Sequence, residues 1–216
     1  MRPARALIDL AALRHNYQLA RARHGGRALA VVKANAYGHG AVQCASALAG
    51  LADGFAVAFL EEALELRAAG VAQPILLLEG VFEASDLADV QRHALWTVVH
   101  HEEQLRMIEA AALPGPINVW LKVNSGMNRA GFVGDAVRAA WQRLHDCDKV
   151  AAITLMTHFA RADEPHVIST TAQIERFDAT TRDLPGARSM ANSGGVLGWP
   201  AAHRDWARPG ILLYGA

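Results

Sequence analysis

Residues 29–40 read Leu-Ala-Val-Val-Lys-Ala-Asn-Ala-Tyr-Gly-His-Gly. An apolar, partly β-branched run ends on Lys33, and small residues with two glycines follow at once. A short run of this kind bounded by turn formers reads as a buried strand. Similar runs recur along the chain at Phe55–Phe59, Ile75–Leu78, Trp96–Val99, Ile117–Val123, Val150–His158, Arg188–Asn192 and Asp205–Arg208. The segments between them have helical periodicity, and strands alternating with helices are the pattern of βα units around a parallel sheet.

The helices have readable ends. Leu60–Ala69 meets Gly70 as a C-cap, Ser85 is placed to N-cap the next helix, and His101–Ala112 stops before Pro114-Gly115. Asp135–His145 and Ser169–Arg182 complete the set, and Leu13–Arg23 precedes the first strand. Eight strands with helices between them point to an α/β fold, a closed (β/α)8 TIM-type barrel, with residues 1–216 as one domain. Ala6–Leu10 looks like a strand with no slot in that barrel, an unpaired N-terminal strand with an exposed edge. Ile211–Ala216 leaves no room for a closing helix.

Composition excludes several classes. The 216 residues include 21 basic and 21 acidic side chains for a net charge of zero, with 52% hydrophobic residues. Such a chain exerts no long-range pull on phosphate backbones and has no basic cluster, so nucleic acid is not an expected partner. No apolar run approaches the ~18 residues of a membrane span, and the first residues lack the apolar core of a signal peptide. Cys44 and Cys147 are the only cysteines, which suits a reducing cytoplasm better than a disulfide framework. His100-His101 has no third ligand at useful spacing, so solvated or capping roles are expected and no metal. Glu61-Glu62 suits the dipole of a helix start. The five tryptophans are scattered and form no stacking set for bases.

A lysine at the C-terminal end of a barrel strand points into the face where this fold builds active sites. Its amine can lose its proton when desolvated, which makes Lys33 a candidate Schiff-base nucleophile. The glycines beside it let backbone approach a ligand closely.

The string at residues 31–40 closely resembles the pyridoxal-phosphate motif of alanine racemases. Four later segments resemble that family in the same order: Lys122–Gly131, Met156–Glu164, Ala191–Ser193 and Arg208–Gly215. The resemblance implies a barrel domain binding pyridoxal 5'-phosphate and acting on L-alanine and D-alanine, for peptidoglycan supply or catabolism. It implies that Lys33 carries the cofactor and is the base on one face of the substrate Cα. Tyr37, Asn192, Ser193, Gly210 and Ile211 would hold the phosphate, and His158 would pack on the pyridine ring. Arg129 would meet the cofactor's phenolic oxygen and the substrate carboxylate, positioned by Lys122, a candidate for carbamylation. Arg208 would face the pyridine nitrogen, where many other pyridoxal enzymes place a carboxylate.

Two departures stand out. Asn124 replaces a usual aspartate, with little expected effect. The family's opposing base is a tyrosine of a C-terminal β-domain, contributed across a homodimer interface, and Tyr17, Tyr37 and Tyr214 do not match it. The sequence is therefore expected to hold the barrel domain alone, with the cofactor half of the site. A non-catalytic single-domain carrier of the cofactor is the alternative reading; an aldolase or decarboxylase on the same barrel is disfavoured by Arg208.

Overall fold

Alternation along the first strand sets the geometry of the whole molecule. In the computed structural model, which describes Pro3 and residues 5–216, Ala28 and Ala30 of β1 (Arg27–Val31) face the surrounding helices, while Leu29 and Val31 face inward. The same alternation holds around β2 (Gly54–Val57), β3 (Ile75–Leu77), β4 (Trp96–Val99), β5 (Ile117–Lys122), β6 (Val150–Met156), β7 (Ala187–Ser189) and β8 (Trp206–Ala207). Every strand pairs in parallel with its neighbours in sequence, and β8 returns to β1 through Arg27↔Trp206 and Ala28↔Ala207. Closure leaves the sheet without an edge.

Two apolar layers result. Inside the barrel, Leu29, Val31, Ala56, Leu76, Val98 and Met156 pack with Trp120 and Trp206. Outside, the other faces of the strands meet α3 (Ala41–Leu48), α4 (Leu60–Ala68), α5 (Asp86–Arg92), α6 (Glu102–Ala110), α7 (Asp135–His145) and α8 (Ile168–Thr181). Trp96, Trp120 and Trp206, far apart in sequence, come together at the N-terminal end of the barrel with ring centroids 5.4–6.0 Å apart. No helix among the described residues is long and apolar enough to cross a membrane.

The N-terminal expectation needs correcting. Residues 5–9 form no strand, and Leu10 already belongs to α1 (Leu10–His24). Asp9 explains this: its Oδ1 accepts from the N–H groups of Ala11 and Ala12 at 2.9 and 3.0 Å, so it is an N-cap and not a strand residue. Leu7 is 93% exposed, so the apolar exposure is present without the strand. Met1, Arg2 and Ala4, part of the segment with no signal-peptide core, lie outside the described residues.

The helix at the closing seam of the barrel is α1. It lies over the β8–β1 seam, where Tyr17 Oη donates to Ala28 O (2.8 Å), Asn16 Nδ2 to Leu213 O (3.2 Å), and Arg21 pairs with Asp53 (2.8 Å). Two helix starts also differ from expectation. Ser85 precedes α5 but caps nothing with its side chain; the Asp86 carboxylate takes the Glu83 N–H instead. Ser169 lies inside α8, after Val167 and Ile168, with its hydroxyl unpartnered.

At the end of α1, buried His24 has Nδ1 3.2 Å from Gly26 N and Nε2 3.3 Å from Arg204 N. Both partners are N–H donors, so the neutral ring accepts from one of them, and a second ring proton would leave it accepting from neither. Burial and the adjacent His203 push its pKa from 6.5 down to about 4. The native state thus binds this proton less well than the unfolded chain does, and stability present above pH 6.5 is lost as pH falls toward 4. Urea unfolding at pH 7 and pH 4.5 is expected to show that loss, and His24→Gln should remove on the order of 2 kcal/mol of it. An identical pH dependence in the variant would refute the assignment.

Candidate active site

Lys33 follows Leu29 and Val31 by the two-residue period, which turns it inward at the C-terminal mouth of the barrel. The chain then does something costly. Ala34, Asn35, Ala36 and Tyr37 have φ of 52–55°, so α2 (Lys33–Tyr37) is one turn of left-handed helix. Each non-glycine residue there costs roughly 1–2 kcal/mol, and the surroundings must hold it. Glu62, at the start of α4, accepts from Ala34 N (2.6 Å), Ala58 N (2.6 Å) and Phe59 N (3.2 Å). Asn35 Oδ1 accepts from Ala41 N (2.8 Å). Tyr214 Oη donates to Val31 O (3.0 Å), and its ring packs against both Tyr37 and His39. Glu62 therefore does more than complement a helix dipole: it fixes the peptide that follows Lys33.

The mouth holds a cleft of about 290 Å³ lined by Lys33, Tyr37, Lys122, Arg129, His158, Asn192, Ser193, Arg208, Gly210 and Ile211. All the site residues read from the sequence thus converge. Lys122 ends β5, His158 and Arg208 continue the inward faces of β6 and β8, and Arg129 comes from the loop after β5. Glu79 and Asp163 also line the cleft and were missed. Glu79 follows directly on the β3 run and could have been found as a strand-end residue, whereas Asp163 lies in a loop without periodic signal.

One wall of the cleft is a turn rich in N–H groups. α9 (Ser193–Gly198) is capped by Asn192 Oδ1, which accepts from Gly195 N at 2.9 Å. Ser193 Oγ accepts from Gly210 N (2.9 Å) and Leu212 N (3.2 Å), tying this turn to the loop after β8. A Cβ at Gly210 would stand 2.6 Å from Tyr37 Oη, so the absent side chain is what lets the phenol reach this turn.

Arg208 is 3% exposed. Its guanidinium donates to Ser189 Oγ, Thr157 O and Met190 O, while its Nε–H has no acceptor among the described residues. Burial lowers its pKa to about 10, so it stays charged at neutral pH. His158 is pushed down to about 3 by burial, then by Arg208 and Lys122, and is a neutral ring at pH 7. Burial and Arg129 bring Lys122 down to about 8, against the opposing pull of Glu79. An orphan donor, a cationic rim and a turn rich in N–H groups fit a planar, phosphorylated heterocycle. Elsewhere His100 Nε2 lies 3.0 Å from Glu79 O, and His101 N-caps α6, a capping role.

The model for the N-terminal domain of alanine racemases matches residues 8–216. The chain belongs to the alanine racemase family. Over its whole length it is 74% identical to an alanine racemase of Aromatoleum aromaticum, covering 61% of that protein. It is 60% identical to the catabolic alanine racemase of Pseudomonas aeruginosa, covering 60% of it. The solved structure of the biosynthetic alanine racemase from Pseudomonas aeruginosa superposes with a TM-score of 0.96 at 51% identity, over 100% of this chain and 61% of that one. A histidine racemase from Leuconostoc mesenteroides gives 0.84 at 30% identity, over 96% of this chain and 58% of that one. The chain thus spans about 60% of the length of the alanine racemases it matches.

Within this alanine racemase barrel the left-handed turn is the feature most exposed to single substitutions. Glu62→Ala strips the acceptor from three backbone N–H groups and is expected to lower stability by about 1–3 kcal/mol. Amide hydrogen exchange at Ala34 should accelerate in the same variant, and unchanged exchange there would show that the turn does not depend on Glu62.

Proposed function

We propose that this chain is the barrel domain of an enzyme that interconverts L-alanine and D-alanine with pyridoxal 5'-phosphate. The observation that carries the reading is Arg208: a buried, charged guanidinium with its Nε–H free, in the same cleft as Lys33 and a turn rich in backbone N–H donors. When bound, the cofactor supplies a conjugated ring that accepts the electron pair left on Cα as its proton departs.

The chain's own residues do the rest. Lys33 holds the cofactor through its amine and, once displaced by the substrate amine, takes or returns the Cα proton on one face. Arg129 offers two parallel N–H bonds to the substrate carboxylate. Ser193, Asn192, Tyr37, the Ile211 N–H and the Gly210 N–H, once released from Ser193 Oγ, hold the phosphate. His158, kept neutral, packs on the ring without adding charge. Arg208 can only donate to the pyridine nitrogen, which disfavours protonation there and keeps the ring a weak electron sink. That restraint favours returning the proton to Cα over transamination. Lys122, with a pKa near 8, has enough neutral amine at mildly alkaline pH to add CO2 as a carbamate, which would then orient Arg129.

In this reading the opposing base comes from outside residues 5–216. The Tyr17 and Tyr214 hydroxyls are spent on the carbonyls of Ala28 and Val31. A tyrosine of a C-terminal β-domain, offered across a homodimer, would complete the site. Phe59 and Phe82, their rings tilted against each other at 5.9 Å and 45% and 63% exposed beyond β2 and β3, are consistent with a cover over this end of the barrel. The proposed setting is the cytoplasm, where the free thiols Cys44 and Cys147 would stay reduced.

Reconstituting these 216 residues with pyridoxal 5'-phosphate is expected to give a visible absorbance band that Lys33→Ala abolishes. Chiral analysis should find little conversion of L-alanine by this stretch alone. The absence of a band would sink the cofactor assignment, and full turnover would place the second base within these residues. Gly210→Ala, which drives a methyl group into Tyr37, is expected to weaken cofactor affinity by about tenfold or more, read by titrating the same band. For Lys122, native intact-mass measurement should show a labile increment of one CO2 that acid removes; an unmodified mass under CO2-rich, mildly alkaline conditions would count against it.

A further inference from the structure

The opposite end of the barrel opens a cavity of about 570 Å³, about twice the volume of the cleft at Lys33. Small-molecule sites run from about 300 to 1,000 Å³. The packed side chains of Leu29, Val31, Ala56, Leu76, Val98 and Met156 lie between the two ends, so a ligand in one does not touch a ligand in the other. Trp96, Trp120 and Trp206 line this second cavity together with Asn118, Thr154 and Arg27. The Arg27 guanidinium carbon stands 4.1 Å above the centre of the Trp206 ring.

What distinguishes this cavity is an excess of hydrogen-bond donors. An indole N–H can only donate, and a buried one normally finds an acceptor. The other two tryptophans do so: Trp141 Nε1 donates to Pro185 O at 3.0 Å and Trp199 Nε1 to Ala162 O at 2.9 Å. Trp120 and Trp206 are 1% and 4% exposed, yet among the described residues their N–H groups have no acceptor, nor does that of Trp96. The side chains of Arg27 and Asn118 are likewise without hydrogen-bond partners there. Nor are these nitrogens sealed off, since the enclosed unpartnered side-chain atoms among the described residues are Gln73 Oε1, Ser169 Oγ and Thr170 Oγ1. The titratable side chains lining the cavity are Arg27 and His145, with no carboxylate.

We propose that this end of the barrel is a second binding site, separate from the cofactor cleft, for a small aromatic carboxylate. The ring lies against the indoles, and the carboxylate accepts from Arg27 and Asn118. A neutral arene would leave the donors unpaired, an inorganic anion would leave the partly open Trp96 ring wetted, and an aromatic cation would meet the Arg27 charge. A guanidinium gives a carboxylate two parallel bonds, and aromatic rings stack favourably on indole.

Benzoate and its neutral isostere benzamide are suitable probes, followed by tryptophan fluorescence and ligand-observed NMR on the 216-residue chain with and without pyridoxal 5'-phosphate. Saturable benzoate binding that the cofactor leaves unchanged is expected, with benzamide weaker by about tenfold. Arg27 is exposed, so Arg27→Met should fold and weaken benzoate by about tenfold while sparing benzamide. Asn118→Asp, the same shape with a negative charge, should weaken benzoate at least as much, and it carries the test should the first variant fail to fold. The proposal is overturned by no saturable binding at millimolar benzoate, by equal binding of benzamide, by displacement of benzoate with the cofactor, or by indifference to both substitutions.

Discussion

Four positively charged side chains, Lys33, Lys122, Arg129 and Arg208, share one cleft with two carboxylates, Glu79 and Asp163. Beyond burial, Arg129, Arg208 and Lys33 all push the Lys122 amine toward its neutral form, and Arg208, Lys122, Arg129 and Lys33 do the same to His158. Much of the surrounding structure can be understood as management of that repulsion. His158 stays neutral, Lys122 has an amine that gives up its proton easily, and Arg208 is held by a hydroxyl and two carbonyls. A dianionic phosphate and a substrate carboxylate would relieve what remains, so charge selects the ligand before shape does.

Placing those charges depends on two backbone devices of different character. The period-two alternation of a closed parallel barrel delivers Lys33, Lys122, His158 and Arg208 to one end without strain. The left-handed turn after Lys33 is strained and is held by Glu62, Asn35 and Tyr214. The first device is robust to most side-chain changes; the second concentrates its dependence in a few hydrogen bonds.

The barrel was legible because each buried strand is a short apolar run closed by turn formers, and because α7 carries clean signals at both ends: its observed bounds, Asp135–His145, are those read from the sequence. The cleft residues were legible because they sit where those runs end. Ala6–Leu10 misled because five residues of mixed polarity do not separate a strand from an extended lead-in to a capped helix. The closing role of α1 was invisible, since linear order carries no information about which element fills a cyclic gap. The tryptophan trio was hidden for a related reason: positions 96, 120 and 206 meet only through strand register. Nor does the composition of residues 34–37 announce a left-handed turn, as only Asn35 tolerates that conformation readily.

The position of α1 over the β8–β1 seam has a consequence for how the molecule is assembled. The seam joins Arg27 to Trp206 and Asn16 to Leu213, contacts between opposite ends of the described chain. Such long-range pairings are the slow ones in folding, because loop-closure entropy is lost before the contacts form. α1 meets some neighbours close by in sequence, Ala28 and Asp53, and another, Leu213, only 197 residues on. Until β8 pairs, the open flank of β1 lacks its partner, and the incomplete barrel is a curved sheet with two live edges. Closure of the ring therefore depends on β8 pairing with β1 beneath α1, a contact that couples distant parts of the described chain.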